Sequence, residues 1–285
     1  MTWEETIQYI RTKKEFNDVV FNSYLTDNLV ENVNRFKTSE EFEETLNIIN
    51  RHNTNSSLKL LDVGSGNGIS AVSFALHGFH VDALEPDKSD TVGAGAIQKL
   101  KEHFVLPSLE IHTTYAENLP FEKETFDVVY VRQAFHHAHN LQQFVNECAR
   151  VLKPNGVLLG IREHVIYNEL DKEWFLHVHP LQKFYLGENA YTLEEYKNSF
   201  VNAELVIENI YTYFDSILNY FPFSKQKVEK GRKNIKIITL VNGNFFSRFS
   251  FTNKVQRFFL RKFFGVIPDE SLIAGRMYSF VVKKA

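Results

Sequence analysis

Hydrophobic residues fall into two kinds of run along the chain. Ile69–Leu76 and Leu141–Leu152 carry apolar residues at helical spacing. Short continuous apolar runs cover Leu58–Val63, His80–Leu84, Leu109–His112, Phe126–Val131 and Val157–Ile161. Because such strands alternate with helices, the pattern predicts a parallel sheet that is covered on both faces.

The two ends of the chain differ from this central pattern. Near the start, Thr38 and Glu41 have the spacing of a capping box, and apolar residues then recur at helical spacing, which predicts a helix there. Near the end, Glu204–Tyr213 and Met277–Lys283 are two further strand candidates. The long stretch between them, residues 214–276, is the least regular part of the sequence.

Composition narrows the class of protein. The 285 residues are 44% hydrophobic and 24% charged, ordinary values for a globular protein, so bulk disorder is not expected. The one cysteine, Cys148, excludes an intrachain disulfide and a cysteine-based zinc cluster, and it suits a reducing compartment. The acidic start lacks the apolar core of a secretory signal, and no apolar run is long enough to span a membrane. We therefore expect a cytoplasmic protein.

Charge is divided along the chain. Residues 1–220 carry 18 Lys and Arg against 32 Asp and Glu, whereas residues 221–285 carry 14 against 3. Within the basic part, residues 244–264 interleave phenylalanines with Lys and Arg, and on a helix these would gather on separate sides. The pattern is typical of a helix on an anionic membrane surface, at the inner face of the membrane. The other interpretation is an amphipathic helix packed on the protein's own core with its charges in solvent, which an amphipathic pattern more commonly indicates. A nucleic-acid partner is the least favoured alternative.

A glycine-rich turn, Asp62–Gly68, directly follows the first predicted strand. Its glycines allow positive φ and a close approach of a ligand, and the next helix presents its free N–H groups there. Glu85, 21 residues after Gly64, ends the second strand and can accept hydrogen bonds from ribose hydroxyls. The turn therefore predicts a nucleoside site, with a tight turn that binds nothing as the alternative.

The spacing of these glycines differs from the G-x-G-x-x-G fingerprint of dinucleotide-binding proteins. It resembles the D-x-G-x-G-x-G of class I S-adenosylmethionine-dependent methyltransferases, in which an acid also ends the second strand. Four further stretches share the resemblance: Ala116–Phe121, Phe126–Val129, Phe135–His137 and Glu147–Gly156. Together they cover Leu58 to Ile161 and are similar to the small-molecule branch, the ubiquinone/menaquinone-biosynthesis type.

The resemblance implies a fold and an organisation. The expected fold is α/β and Rossmann-like, a doubly wound, mostly parallel seven-stranded sheet whose last strand is antiparallel. Residues 1–56 would form a helical lid and residues 57–165 the cofactor-binding core. Residues 166–285 would hold the acceptor-pocket segment, the final strands and a long basic insertion before the last strand, within the same domain.

It also implies a cofactor, S-adenosyl-L-methionine, with S-adenosyl-L-homocysteine as the product. The residues expected to bind it are Asp62, Gly64, Ser65, Gly66, Gly68, Glu85, Pro86, Asp87, Ala116, Glu117 and Arg132. Tyr115 stands where the branch usually has an aspartate, which leaves Glu117 as the nearest acid for the adenine amine. Arg132 would pair with the cofactor carboxylate or, alternatively, form a structural ion pair.

Candidate catalytic groups lie beyond the fourth and fifth predicted strands. His137 and His164, with Glu163, are the preferred general-base candidates, against the alternative that the histidines only pack or lie at the surface. No metal site is predicted, because His136, His137 and His139 have no accompanying pattern of carboxylates. Four aromatic residues after the fifth strand are candidates for the acceptor pocket: Trp174, Phe184, Tyr185 and Tyr191.

The expected function is transfer of a methyl group to a small-molecule or lipid-linked acceptor. The sequence Val131–Ala134 lacks the Pro-Pro motif of the enzymes that methylate nucleic-acid amino groups, and the acidic body attracts phosphate poorly. Two other functions stay open: an NAD-dependent oxidoreductase, and a non-catalytic ligand- or membrane-binding protein on the same fold.

Overall fold

A computed structural model describes residues 1–53, 57–221, 223–230 and 276–285 of the chain. The basic, phenylalanine-rich stretch at 244–264 lies outside these residues, so both interpretations of it stay predictions. In the part that is described, no helix has both the length and the apolar character that a membrane crossing requires.

The strands form one mixed sheet. They are β1 (Lys59–Val63), β2 (His80–Leu84), β3 (Leu109–His112), β4 (Phe126–Arg132), β5 (Leu152–Ile166), β6 (Tyr191–Thr192), β7 (Leu205–Tyr211) and β8 (Arg276–Lys284). The order across the sheet is β3-β2-β1-β4-β5-β8-β7, and the two-residue β6 pairs beside β5. β8 runs antiparallel to β5 and β7, while β1 to β5 pair in parallel. The predicted Rossmann-like sheet with an antiparallel last strand is confirmed, with β6 as an eighth strand that the sequence analysis missed.

The helices are α1 (Trp3–Arg11), α2 (Asn17–Asn22), α3 (Leu29–Lys37), α4 (Glu40–His52), α5 (Ile69–Leu76), α6 (Ala94–Phe104), α7 (Leu141–Val151), α8 (Glu169–Val178), α9 (Gln182–Tyr185) and α10 (Leu193–Asn202). Three short 3₁₀ helices cover Lys14–Phe16, Phe135–His137 and Ile217–Asn219.

Helices cover both faces of the sheet, and neighbouring strand residues belong to opposite cores. Leu60 packs into the core under α3, α4 and α5, whereas Leu61 packs into the core under α7 and α10. Val128 and Val129 divide in the same way. Because side chains along a strand alternate between faces, continuous apolar strands need both faces covered.

The helix α4 begins one residue later than the capping-box spacing predicts. The hydroxyl of Ser39 accepts the N–H of Phe42 at 3.2 Å, so Ser39 is the N-cap. The Thr38 hydroxyl instead donates to the carbonyl of Asn34, 2.9 Å away, because Thr38 still belongs to the last turn of α3. The predicted box between Thr38 and Glu41 is therefore wrong.

A bulge in β5 changes which face its later residues occupy. Arg162 has φ of 59°, and the pairing with β8 shifts register between Gly160 and Glu163. Ile161 lies in the core under α4, whereas Val165, four residues later, lies in the opposite core. An extra strand residue produces this change of face.

Candidate active site

A cavity of about 640 Å³ opens at the carboxyl ends of β1, β2, β4 and β5. Its floor includes the glycine turn after β1, and its sides include Thr2, Trp3 and Leu25 from the N-terminal region. The segment after α8 supplies the opposite side, with residues such as Leu181 and Tyr185. Ligands bind at this end of open α/β sheets, where adjacent helices run to opposite faces.

The glycine turn needs residues without a side chain. Gly64, Gly66 and Gly68 have φ of 72°, 54° and 86°, a region that L-residues with a Cβ rarely adopt. A Cβ at Gly64 would also lie 2.6 Å from the Cβ of Ala134. The turn can therefore bring its backbone close to β4 and to a ligand.

Hydrogen bonds of Asp62 and Ser65 stabilise the turn. Oδ2 of the buried Asp62 accepts the hydroxyl of Ser70 at 2.7 Å, and the Asp62 carbonyl accepts the hydroxyl of Ser65 at 2.8 Å. Burial raises the pKa of Asp62 to about 6. Ser65 lines the cavity, as do Gly64 and Gly66, whereas Asp62 and Gly68 lie behind the lining.

Glu85 lies across the cavity floor from the turn. Its Oε2 accepts the N–H of Gly66 at 2.7 Å, and its Oε1 accepts the N–H of Asp87 at 2.9 Å. Burial raises the pKa of Glu85 to about 7. Because a carboxylate has about four acceptor positions, each oxygen can still accept from a ligand.

Two loops continue the wall beside Glu85. Pro86 and Asp87 line the cavity after β2, and Ala116 and Glu117 line it after β3. Oε1 of Glu117 accepts the N–H of His139 at 3.0 Å, which ties this loop to the residues after β4. Tyr115 also lines the cavity and is exposed.

Arg132, at the end of β4, lines the cavity but is held by Glu41 of α4. Nε and Nη2 of Arg132 donate to the two Glu41 oxygens at 2.6 and 3.2 Å. Burial alone would lower the pKa of Arg132, but the Glu41 carboxylate raises it above its ordinary value. The structure thus contains the ion pair that the sequence left as an alternative, and a contact with a cofactor carboxylate stays a prediction.

A buried histidine–carboxylate pair lies at the other end of the cavity. Nδ1 of His136 donates to Oε2 of Glu163 at 2.8 Å, and Glu163 also accepts the N–H groups of Ala134 and His136. Burial lowers the pKa of His136 well below its ordinary value and raises that of Glu163 to about 7. His136 lines the cavity, and its contact with Glu163 holds the ring in a fixed orientation.

The structure places all three predicted catalytic residues beside His136: Glu163 contacts its Nδ1, and the ring centroid of His137 lies 4.1 Å from its own. Glu163 and His164 lie inside β5, opposite Tyr278 and Met277 of β8, and not after the strand as the sequence analysis expects. The ring of His164 lies edge-on to His136, with centroids 4.7 Å apart. His137 is exposed at the cavity wall, where its Nδ1 lies 2.9 Å from the carbonyl oxygen of Gly187.

Sequence reasoning missed the partner of Glu163 and two residues of the segment after α8. His136 was placed in a motif but not chosen, and His179 and Glu188 also line the cavity. Of the four predicted pocket aromatics, only Tyr185 is part of the described lining. The bulge at Arg162 decides which face of the sheet Glu163 occupies. Because the sequence does not mark this bulge, the contact between Glu163 and His136 could not be predicted from alternation along β5.

A family model described as a methyltransferase domain matches residues 61–160. The ubiquinone biosynthesis O-methyltransferase of Rickettsia prowazekii is 33% identical over 112 residues, which cover 39% of this chain and 42% of that protein. Phthiotriol/phenolphthiotriol dimycocerosates methyltransferase 1 of Mycobacterium ulcerans is 32% identical over 127 residues, 43% of this chain and 45% of that protein. The chain thus spans less than half the length of these curated relatives.

Solved structures share the fold at low identity. A geranyl diphosphate C-methyltransferase from Streptomyces coelicolor, in complex with Mg²⁺, geranyl-S-thiolodiphosphate and S-adenosyl-L-homocysteine, has a TM-score of 0.57 and 13% identity. The alignment covers 85% of this chain and 76% of that one. The family match confirms the resemblance to methyltransferases that the sequence predicts, and this neighbour shows that the fold is shared.

Proposed function

We propose that this chain, which matches a methyltransferase domain model at residues 61–160, is an S-adenosyl-L-methionine-dependent methyltransferase that acts on a small-molecule acceptor. The observation that supports this most strongly is the arrangement at one end of the cavity. A glycine turn with three positive φ angles lies beside a buried carboxyl group that ends β2.

The residues at this end fit the cofactor. The carboxyl oxygens of Glu85 each have one backbone donor and room for a ribose hydroxyl. Gly64, Ser65 and Gly66 would lie under the amino-acid end, while Asp62 and Gly68 hold the turn in shape. Pro86, Asp87, Ala116 and Glu117 would enclose the adenine. When bound, the cofactor supplies a methyl group on a positively charged sulfur.

The chain's own residues then have two tasks at the other end of the cavity. They must hold the acceptor in line with the methyl–sulfur bond, and they must take a proton where the acceptor atom carries one. His136, oriented by Glu163, is the group best placed to take that proton, because its Nδ1 is occupied by the carboxylate and its ring lines the cavity. His164 and His137 would position the acceptor beside it.

The experiment that tests the cofactor assignment is a calorimetric titration with S-adenosyl-L-homocysteine. Wild type should bind it, and Glu85→Ala should bind at least tenfold more weakly because the ribose loses its acceptor. Glu110→Ala, which removes an exposed carboxylate from β3, is the matched control and should bind like wild type. Equal affinity in all three proteins would contradict the assignment.

We also propose where the acceptor is located in the cell. The basic, phenylalanine-rich residues 244–264 have the pattern of a helix on an anionic surface, and on that interpretation we propose contact with the inner face of a membrane, a cytoplasmic location and a lipid-linked acceptor. Co-flotation with anionic vesicles at low salt, abolished when Lys254, Arg257 and Arg261 are changed to Gln, is the expected result. A protein that stays with the unbound fraction at low salt would remove this part of the proposal and leave the methyltransferase assignment intact.

A further inference from the structure

We propose that His136, His164 and Glu188 form a binding site for a divalent transition-metal cation at the acceptor end of the cavity. This goes beyond the sequence analysis, which predicts no metal site, and it deepens the proposed function, on which its role in the reaction rests. The binding site itself can be tested without the cofactor.

The three side chains converge from separate parts of the chain. His136 follows β4, His164 lies in β5 and Glu188 follows α9, and one potential ligand atom of each lies within 4.8 Å of the other two. Ligands bound at about 2.0–2.2 Å to one ion lie at most about 4.4 Å apart. Binding one cation therefore requires side-chain rotations that bring the three ligand atoms closer together than 4.8 Å. Two imidazoles and one carboxylate are a ligand set that zinc and its neighbours among the transition metals favour.

Glu163 fixes the first of these ligands in the orientation that metal binding needs. Nδ1 of His136 lies 2.8 Å from Oε2 of Glu163, and in the tautomer that donates the Nδ1 hydrogen to this carboxylate, Nε2 keeps its lone pair for a cation. Metal-binding histidines commonly donate their other ring nitrogen to a carboxylate in this way. Two backbone N–H groups, of Ala134 and His136, hold the Glu163 carboxylate in turn.

The buried carboxylate of Glu188 has no positively charged group within hydrogen-bond distance among the described residues. Its side chain is 6% exposed, and the nearest basic group among the described residues is Nδ1 of His179, 3.8 Å from Oε1. That separation is too long for a hydrogen bond, and the buried Nδ1 of His179 has no hydrogen-bond partner in the described part of the chain. The lining contains one Lys or Arg among its described residues, Arg132, and Glu41 already pairs with it. A bound cation would compensate the carboxylate and could take His179 as a fourth ligand.

A cation at this position would act on the acceptor. With the cation bound, His136 and His164 serve as its ligands, and the cation replaces His136 in activating the acceptor. It would lower the pKa of an acceptor hydroxyl placed against it, and the hydroxyl proton would pass to solvent. The oxygen's electron pair then forms the bond to the methyl carbon, and the carbon–sulfur bond breaks with its pair remaining on sulfur. Such a site favours acceptors with a hydroxyl or a pair of adjacent oxygens.

The test uses the full-length protein freed of metal with a chelator and then titrated with Zn²⁺ by calorimetry and with Co²⁺ by visible absorption. Wild type should bind one ion per chain and give the absorption of cobalt coordinated by nitrogen and oxygen. Glu188→Gln and His164→Ala should lose this binding. Glu163→Gln, which removes only the group that orients His136, should weaken it by about 10–100-fold.

The matched control is His177→Gln, which removes an exposed histidine from α8, two residues before His179. It should bind Zn²⁺ like wild type. Binding of S-adenosyl-L-homocysteine by every variant shows that each is folded. Absence of Zn²⁺ and Co²⁺ binding in wild type, or binding unchanged in Glu188→Gln and His164→Ala, would overturn the metal site. Neither result would argue against the cofactor assignment. That assignment would fail if wild type did not bind S-adenosyl-L-homocysteine.

Discussion

At the scale of single residues, the cavity floor depends on a carboxyl group kept away from water. Glu85 is buried, no Lys or Arg among the described residues donates a hydrogen bond to it, and its two partners are backbone N–H groups. Burial raises the pKa of this group to about 7, from an ordinary value of 4.5. The folded protein without ligand therefore binds a proton at Glu85 more readily than the unfolded chain does.

This difference predicts the pH dependence of stability without ligand. Between pH 4.5 and about 7 the folded state holds more protons at Glu85 than the unfolded state, so this group's contribution to the free energy of unfolding falls as pH rises through that window. Compared with Glu85→Gln, wild type should gain melting temperature as the pH is lowered from about 7.5 to about 5. A difference between the two proteins that stays constant over this range would contradict the assigned pKa.

The glycine turn allows a second prediction at the same scale. Gly64→Ala places a Cβ 2.6 Å from the Cβ of Ala134 at a φ of 72°, whereas a Cβ at Gly66 meets no atom within 4 Å. Gly66→Ala should therefore cost only the left-handed backbone penalty, about 1–2 kcal/mol. Gly64→Ala should lower the free energy of unfolding, measured in urea, by more than this. The Cβ of Ala134 is bonded directly to the backbone after β4, so it cannot move aside by a side-chain rotation. An equal loss in the free energy of unfolding for the two variants would show that a Cβ at Gly64 does not clash with the residues after β4.

At the scale of elements, ion pairs as well as apolar packing hold α4 against the sheet. Glu41 accepts two hydrogen bonds from Arg132 of β4, and its Oε2 lies 3.8 Å from Nε of Arg162 in β5. All three side chains are largely buried. One carboxylate thus compensates guanidinium groups on two strands.

Removing that carboxylate should be costly. Glu41→Gln leaves Arg132 and Arg162 without their shared carboxylate, and loss of one partner of a buried pair costs about 3–5 kcal/mol. The control is Glu44→Gln on the same helix, which breaks an exposed pair with Arg51 and should cost below about 1 kcal/mol. Urea unfolding measures both. A similar small loss in the two variants would show that the Glu41 pair contributes little to holding α4.

The sequence predicted elements well where hydrophobic pattern alone decides them, and less well where local geometry intervenes. β2, β3 and α5 have the predicted bounds. β5 runs further than predicted, through polar residues up to Ile166, because β8 pairs with it and the bulge at Arg162 accommodates the change of face. No periodicity marks such a bulge, so the pairing of Glu163 with His136 could not be read from spacing.

At the scale of the whole molecule, one cavity joins parts of the chain that are far apart in sequence. One end of the cavity consists of residues that a local sequence motif indicates: the glycine turn and the acid after β2. The other end contains His136, His164, His179 and Glu188, which only the folded chain brings together. That contrast explains why the sequence indicates most of the residues at the glycine-turn end and few at the other end, while the roles of both sets stay predictions.

The fold by itself does not decide the reaction, since one structural neighbour at 14% identity and a TM-score of 0.54 is described as a [4+2]-cyclase. The most direct test of the central claim is therefore a thermal-shift comparison of S-adenosyl-L-homocysteine, S-adenosyl-L-methionine and NAD on wild type and Glu85→Ala. A ligand that binds only the folded state must raise the melting temperature. We expect a rise with both sulfur nucleosides that is reduced in Glu85→Ala, and none with NAD. A rise with NAD alone, or none with either sulfur nucleoside, would contradict it.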